Sequence, residues 1–152
     1  MRIIVDADAC PVKDIIMHTA KRYRIDVLMV CDTSHMLDKE KYNVITVDKG
    51  SDSADIKLIN LSSAGDVVVT QDYGVAALAL GKGAYALNNN GAEYNESNLD
   101  RLLFERFLGK KARRSGRRTK GPSARTSEDD RNFEANLERI LKKALDSQKN
   151  MC

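Results

Sequence analysis

Long hydrophobic runs are missing from this sequence. No stretch approaches the roughly 18 apolar residues that a membrane span requires. Cysteine is scarce as well. Cys10, Cys31 and Cys152 are odd in number and show no CxxC spacing, which argues against a disulfide framework and against a structural zinc site. The amino terminus, MRIIVDADAC, carries acids where a signal peptide would be basic and then apolar, so a cytoplasmic protein is expected. No internal repeat is visible. The segment from 109 to 126 contains neither an acid nor an aromatic residue, which leaves it without a means of stacking on bases.

What is present suits one globular domain. The chain has 152 residues, 42% apolar and 31% charged, enough to bury a core without covalent support. Charge is unevenly spread. Lys110, Lys111, Arg113, Arg114, Arg117, Arg118, Lys120 and Arg125 fall within residues 109–126, and the remaining 17 basic residues face 22 acids. An acidic body therefore carries one concentrated basic stretch, read here as a flexible connector able to attract a polyanion through counterion release.

Continuous apolar runs at 2–6, 26–31, 43–47, 66–72 and 84–87 read as strands covered on both faces. Helical spacing appears between them. One helix runs from Pro11 to about Arg22. A second covers 53–63 with Ile56, Ile59 and Leu61 inward and Ser51 or Asp52 as cap, and a third covers 73–83. A fourth, 95–111, places Leu99, Leu102, Leu103, Phe107 and Leu108 near one face. A last helix, 127–148, is capped by Ser127 and has an apolar stripe from Phe133 to Leu145. Alternation of this kind predicts an α/β three-layer sandwich around a mostly parallel sheet, with a C-terminal helix after the basic connector.

Acids fall where three of those strands end. Asp6 and Asp8 follow the first strand, Asp48, Asp52 and Asp55 the third, and Asp72 the fourth. Ligands of open α/β sheets bind beyond the carboxyl ends of strands. Clustered carboxylates repel unless a cation or a shared proton relieves them. An oxygen-only set suits Mg²⁺ or Mn²⁺, which activates water and clamps phosphodiester oxygens. Each acid also has a plainer role. Asp52 could be a cap, Asp55 could complement the helix dipole, and Asp48 suits a solvated turn. Asp6 and Asp72 interrupt buried runs, where an unpaired charge is costly. Thr70 could bind a phosphate or finish its strand, and Lys13 could contact phosphate from the first helix. Cys10 reads better as a small buried residue than as a nucleophile, and only His18 and His35 could serve it as a base.

The segments VDADACPVK (5–13), DSADIKLI (52–59), VVTQDYGVAALAL (68–80) and GRRTKGPSARTSEDDRNFEANL (116–137) together resemble the YaiI/YqxD family of uncharacterised bacterial proteins. That family looks like a branch of the PIN-like fold group, whose better-known members are metal-dependent ribonucleases. The resemblance implies a PIN-like fold and a first acid at Asp6 with Asp8 beside it. It implies a helix-borne acid at Asp55 or Asp52, a further acid at Asp72, and a family signature in RRTKGP. Asn90 stands where the family pattern would place an arginine before Gly91.

The expectation drawn from these residues is a nuclease that uses Mg²⁺ or Mn²⁺ on RNA or DNA, with RNA favoured by the resemblance. Asp6, Asp8, Asp55 and Asp72 are its catalytic acids, and these four with Asp52 are its metal ligands. Two alternatives stand beside it: a non-catalytic RNA-binding or ribosome-associated module using the basic stretch, and a phosphatase of haloacid-dehalogenase type with Asp6 as nucleophile.

Overall fold

The computed structural model describes residues 1–32, 37–48, 53–116 and 124–150. Five strands form one sheet: β1 (Arg2–Asp6), β2 (Asp26–Asp32), β3 (Val44–Val47), β4 (Val67–Val69) and β5 (Tyr85–Leu87). Their order is β3-β2-β1-β4-β5, and every pairing is parallel. The sheet is thus fully parallel. Five helices cover it: α1 (Lys13–Tyr23), α2 (Ser53–Leu61), α3 (Tyr73–Gly81), α4 (Glu96–Arg114) and α5 (Ser127–Asn150).

Both faces of each central strand are buried, which explains the unbroken apolar runs. Ile3, Val5, Met29, Val67 and Val69 face α1 and α5, where they meet Ile16, Phe133, Leu137, Ile140 and Leu141. The alternate residues Ile4, Val30 and Val68 face α2, α3 and α4, where they meet Leu58, Val75, Ala76, Ala79 and Leu99. The result is a three-layer sandwich. The strand order reverses between β1 and β4. The helices that follow these two strands lie on opposite faces, which opens a crevice at their carboxyl ends.

Several local expectations are corrected. In α2 Leu58 is fully buried, and Ile59 and Leu61 pack half-buried against the same cluster as expected, whereas Ile56 is exposed. In α4 only Leu99 is fully buried, and Leu103, Phe107 and Leu108 are exposed. The basic stretch is not a connector throughout. Lys110 and Lys111 lie in α4 as the 95–111 expectation has it, and Arg113 and Arg114 extend the helix beyond it, since Lys, Arg and Ala sustain a helix without a core-facing stripe. Thr126, not Ser127, caps α5. Its hydroxyl accepts from the Asp129 N–H at 3.2 Å, and the Asp129 carboxylate accepts from the Thr126 N–H at 2.9 Å. Asn95 caps α4 with the same reciprocal pattern to Asn98. Asp52, Ser51, His35, Arg117, Arg118, Lys120 and Cys152 lie outside the described residues.

Candidate functional site

β1 and β4 run in register, with Val5 beside Val69. The next residues along are Asp6 and Thr70, so the register itself brings them together at the crevice. The Thr70 hydroxyl donates to Asp6 Oδ2 at 3.0 Å and accepts from the Asp72 N–H, also at 3.0 Å. Thr70 is almost fully buried. It therefore links the two acids and is not placed to grip a phosphate itself. The Thr70 carbonyl is held from below by the Tyr94 hydroxyl at 3.1 Å. Burial pushes the Tyr94 phenol well above its ordinary pKa, so it stays a donor at any physiological pH.

Asp72 has two roles available to it. Its Oδ1 accepts from the Gly74 and Val75 N–H groups at 2.8 and 3.2 Å, which caps α3. Its Oδ2 enters no hydrogen bond among the described residues. Nor do Asp6 and Asp72 form an ion pair with lysine or arginine among the described residues. Asp66, at the opposite sheet edge, behaves differently. It is buried and accepts from the backbone of Arg2 and Ser63 at 2.9 Å each, with the Arg2 guanidinium nearby.

The Asp6 carboxyl is raised from 3.8 to about 6. Burial is the largest cause, opposed by the Thr70 hydrogen bond. The negative charges of Asp55, Asp8 and Asp72 raise it further. The four acids expected from the sequence thus share one electrostatic field. They do not form a ready cage: among the described residues no three His, Cys, Asp or Glu side chains gather tightly enough to hold an ion. A hard cation such as Mg²⁺ can be held by as few as one or two carboxylates when it keeps several waters. Asp6 and Asp72 would be those carboxylates.

Asp6, Gln71, Asp72 and Tyr73 form one side of a pocket of about 620 Å³, and Leu102, Glu105, Arg106, Gly109 and Arg113 of α4 form the other. A second pocket, of about 450 Å³, adjoins it between α2 and α3 and brings Asp55 to the far side of Asp72. Arg106 and Tyr73 are pocket residues absent from the sequence-based expectation. The recurrence of 102, 105, 106, 109 and 113 at helical spacing is the available signal, masked by the apolar residues between them.

Other expected residues are placed elsewhere. The Lys13 ammonium donates to the Cys10 carbonyl at 2.8 Å, which tethers the turn after β1. Cys10 is buried, its thiol lies 3.8 Å from Asn89 Oδ1, and burial pushes its pKa up, so it is not a ready nucleophile. His18 is exposed on α1. Asp48 is exposed as expected of a turn. Of the described basic residues at 110–114, Arg113 alone lines the pocket. Arg125 turns the other way. Its guanidinium donates to the Asn89 carbonyl and to Asn90 Oδ1 at 2.8 and 2.9 Å, and pairs with Asp130 at 2.7 Å, locking the turn after β5 to the start of α5.

Fold and site together define a doubly wound parallel α/β protein whose topological switch point holds an acidic cleft walled by arginine. Within that class the chain belongs to the YaiI/YqxD family. The family model, described as "Uncharacterized BCR, YaiI/YqxD family", matches residues 4–143. A UPF0178 protein of Ruminiclostridium cellulolyticum is 59% identical over 142 residues, covering 93% of either chain. A UPF0178 protein of Clostridium acetobutylicum is 51% identical over 143 residues, covering 93% of this chain and 97% of its own. Among solved structures, a mutant of Rae1 (YacP) from Bacillus subtilis is similar with a TM-score of 0.39 and 19% identity, covering 95% of this chain and 99% of that one. Among the described residues no helix is long and apolar enough to cross a membrane.

Proposed function

We propose that this protein is a divalent-cation-dependent phosphodiesterase acting on nucleic acid, with RNA as the first substrate to test. One observation carries the reading. A single pocket is lined by Asp6 and Asp72 from the strand ends and by Arg106 and Arg113, with Glu105 beside them, from α4. Phosphodiester chemistry asks for that pairing: oxygen donors for a cation and fixed positive charge for the phosphate. The resemblance to PIN-like ribonucleases read from the sequence motifs points the same way.

When bound, a divalent cation supplies Lewis acidity and lowers the pKa of a coordinated water. The chain's own residues do the rest. Thr70 fixes the rotamer of Asp6, and Tyr94 fixes Thr70. The Gln71 side chain accepts from the Asn89 N–H at 2.8 Å, which ties the pocket floor to the turn after β5. Arg106 and Arg113 orient a phosphate toward the acids. Burial chiefly, and after it the negative charges of Asp55, Asp8 and Asp72, hold the Asp6 carboxyl raised to about 6.

The test is incubation of the full chain with single-stranded and structured RNA in Mn²⁺, Mg²⁺ or EDTA. Cleavage is expected with metal and not with EDTA, and it should disappear in Asp6→Asn and Asp72→Asn. Asparagine is a good helix cap, so the Asp72 substitution should leave α3 intact. Mn²⁺ should also raise the melting temperature of the wild type and not of Asp6→Asn. Binding without cleavage, and without that thermal shift, would leave a nucleic-acid-binding module in place of an enzyme.

A further inference from the structure

Helix α4 has two unlike faces. One turns Leu102, Glu105, Arg106, Gly109 and Arg113 toward the acidic pocket. On the opposite side Asp100, Leu103, Phe104, Phe107, Leu108 and Lys111 recur at the spacing of a helix-packing stripe. Its apolar members are open to solvent: Leu103 42%, Phe104 60%, Phe107 61% and Leu108 46% exposed. Contiguous exposure of two phenylalanines and two leucines is unusual for a monomer and marks an interaction surface. A groove of about 350 Å³ between α3 and α4, lined by Ala77, Leu80, Leu99 and Leu103 among others, extends the same apolar side.

The pattern of the stripe names its occupant. Read from either end it runs charge, Leu, Phe, Phe, Leu, charge, and the two charges have opposite signs. A sequence of that symmetry complements itself when turned by half a revolution. We propose that α4 packs antiparallel against α4 of a second copy of this chain, about a two-fold axis between Phe104 and Phe107. Phe104 then faces Phe107 of the second copy, Leu103 faces Leu108, and Asp100 faces Lys111, each contact occurring twice as an isologous interface requires. Offset phenylalanine pairs at the centre add to the apolar burial. A parallel pairing would set Asp100 against Asp100 and Lys111 against Lys111, so charge complementarity selects the antiparallel one. The wider charge gradient agrees. Glu96 and Asp100 lie in the first turns of α4, while Lys110, Lys111, Arg113 and Arg114 lie in the last. Antiparallel packing also opposes the two helix dipoles favourably. A nucleic acid fits this face poorly, because Asp100 sits at one end of it and Arg106 and Arg113 point to the other side. The pairing leaves the acidic pocket open and does not depend on the proposed hydrolysis.

The experiment is light scattering or sedimentation equilibrium on the full chain over a range of micromolar concentrations. A mass twice 16.9 kDa is expected. Phe104→Glu with Phe107→Glu should give the single mass with an unchanged circular dichroism spectrum, since both residues are exposed. Asp100→Lys alone and Lys111→Asp alone should each weaken association by about tenfold, because every reversal spoils both symmetric pairs. The double variant Asp100→Lys with Lys111→Asp should regain it. A chain that is monomeric at all concentrations overturns the proposal, as does a dimer indifferent to these reversals. Loss of RNA or vesicle binding in the phenylalanine variants, with no dimer in the wild type, would assign the face to that other occupant and overturn it equally.

Discussion

At the scale of single residues, Asp6 bears the cost of the site. Its carboxyl titrates near 6 in the folded chain against an ordinary 3.8, mainly because it is buried. The folded state therefore holds the proton more tightly than the unfolded state does. Stability falls as pH rises from about 4 to about 6 and stays lowered above that, by on the order of 3 kcal/mol at most. Asp6→Asn removes the charge and keeps an acceptor for Thr70. The variant is expected to be more stable than the wild type at pH 7.5, by roughly 1–3 kcal/mol, and to match it at pH 4. Urea denaturation at the two pH values without added metal measures this. A variant equally stable or weaker at pH 7.5 would show that Asp6 is relieved by a partner other than a cation. The sequence already singles Asp6 out, because it ends an apolar run. What it conceals is the service of Thr70 and Tyr94, because Tyr94 lies 24 positions from Thr70 and meets it only through packing.

At the scale of elements, the strands are the most readable parts, since two-sided burial leaves an unbroken apolar run. Helix faces are harder. Ile56 and Leu58 are both apolar, and only the position of α2 on β1 and β2 decides that Leu58 goes in. The end of α4 is hidden because lysines and arginines resemble a linker when no apolar stripe accompanies them. The turn after β5 gives a prediction at this scale. Gly91 has φ +87, and a Cβ there would sit 2.9 Å from the Phe133 Cα on α5. Gly91→Ala combines left-handed strain with that clash and should cost roughly 2 kcal/mol or more, read as a drop of several degrees in melting temperature. An unchanged melting point would mean that α5 yields easily, and that the Asn89–Arg125 contact does not hold the turn against it.

At the scale of the molecule, charge is sorted into an acidic strand edge and a basic helix that faces it across the pocket. Arg106 and Arg113 are both exposed, so their replacement by alanine should leave the fold intact. If they hold phosphates, the double variant should bind RNA more weakly whatever its sequence. The slope of log affinity against log salt should also shrink, by about 0.7–0.9 for each phosphate that is no longer neutralised. Fluorescence anisotropy at several salt concentrations checks both. A variant with weaker binding but an unchanged slope would place the arginines outside the nucleic-acid path.

The layered α/β architecture, the family and the sheet edge at which the acids emerge can all be read from the order of the residues. Apolar periodicity and the places where it stops are local properties that every strand and helix must satisfy. The threonine shared by Asp6 and Asp72, the place of Arg106 across the pocket, and the two phenylalanines that α4 turns to solvent emerge only once the chain is folded. Those outcomes depend on register and helix rotation, which are set by packing between segments distant in the chain.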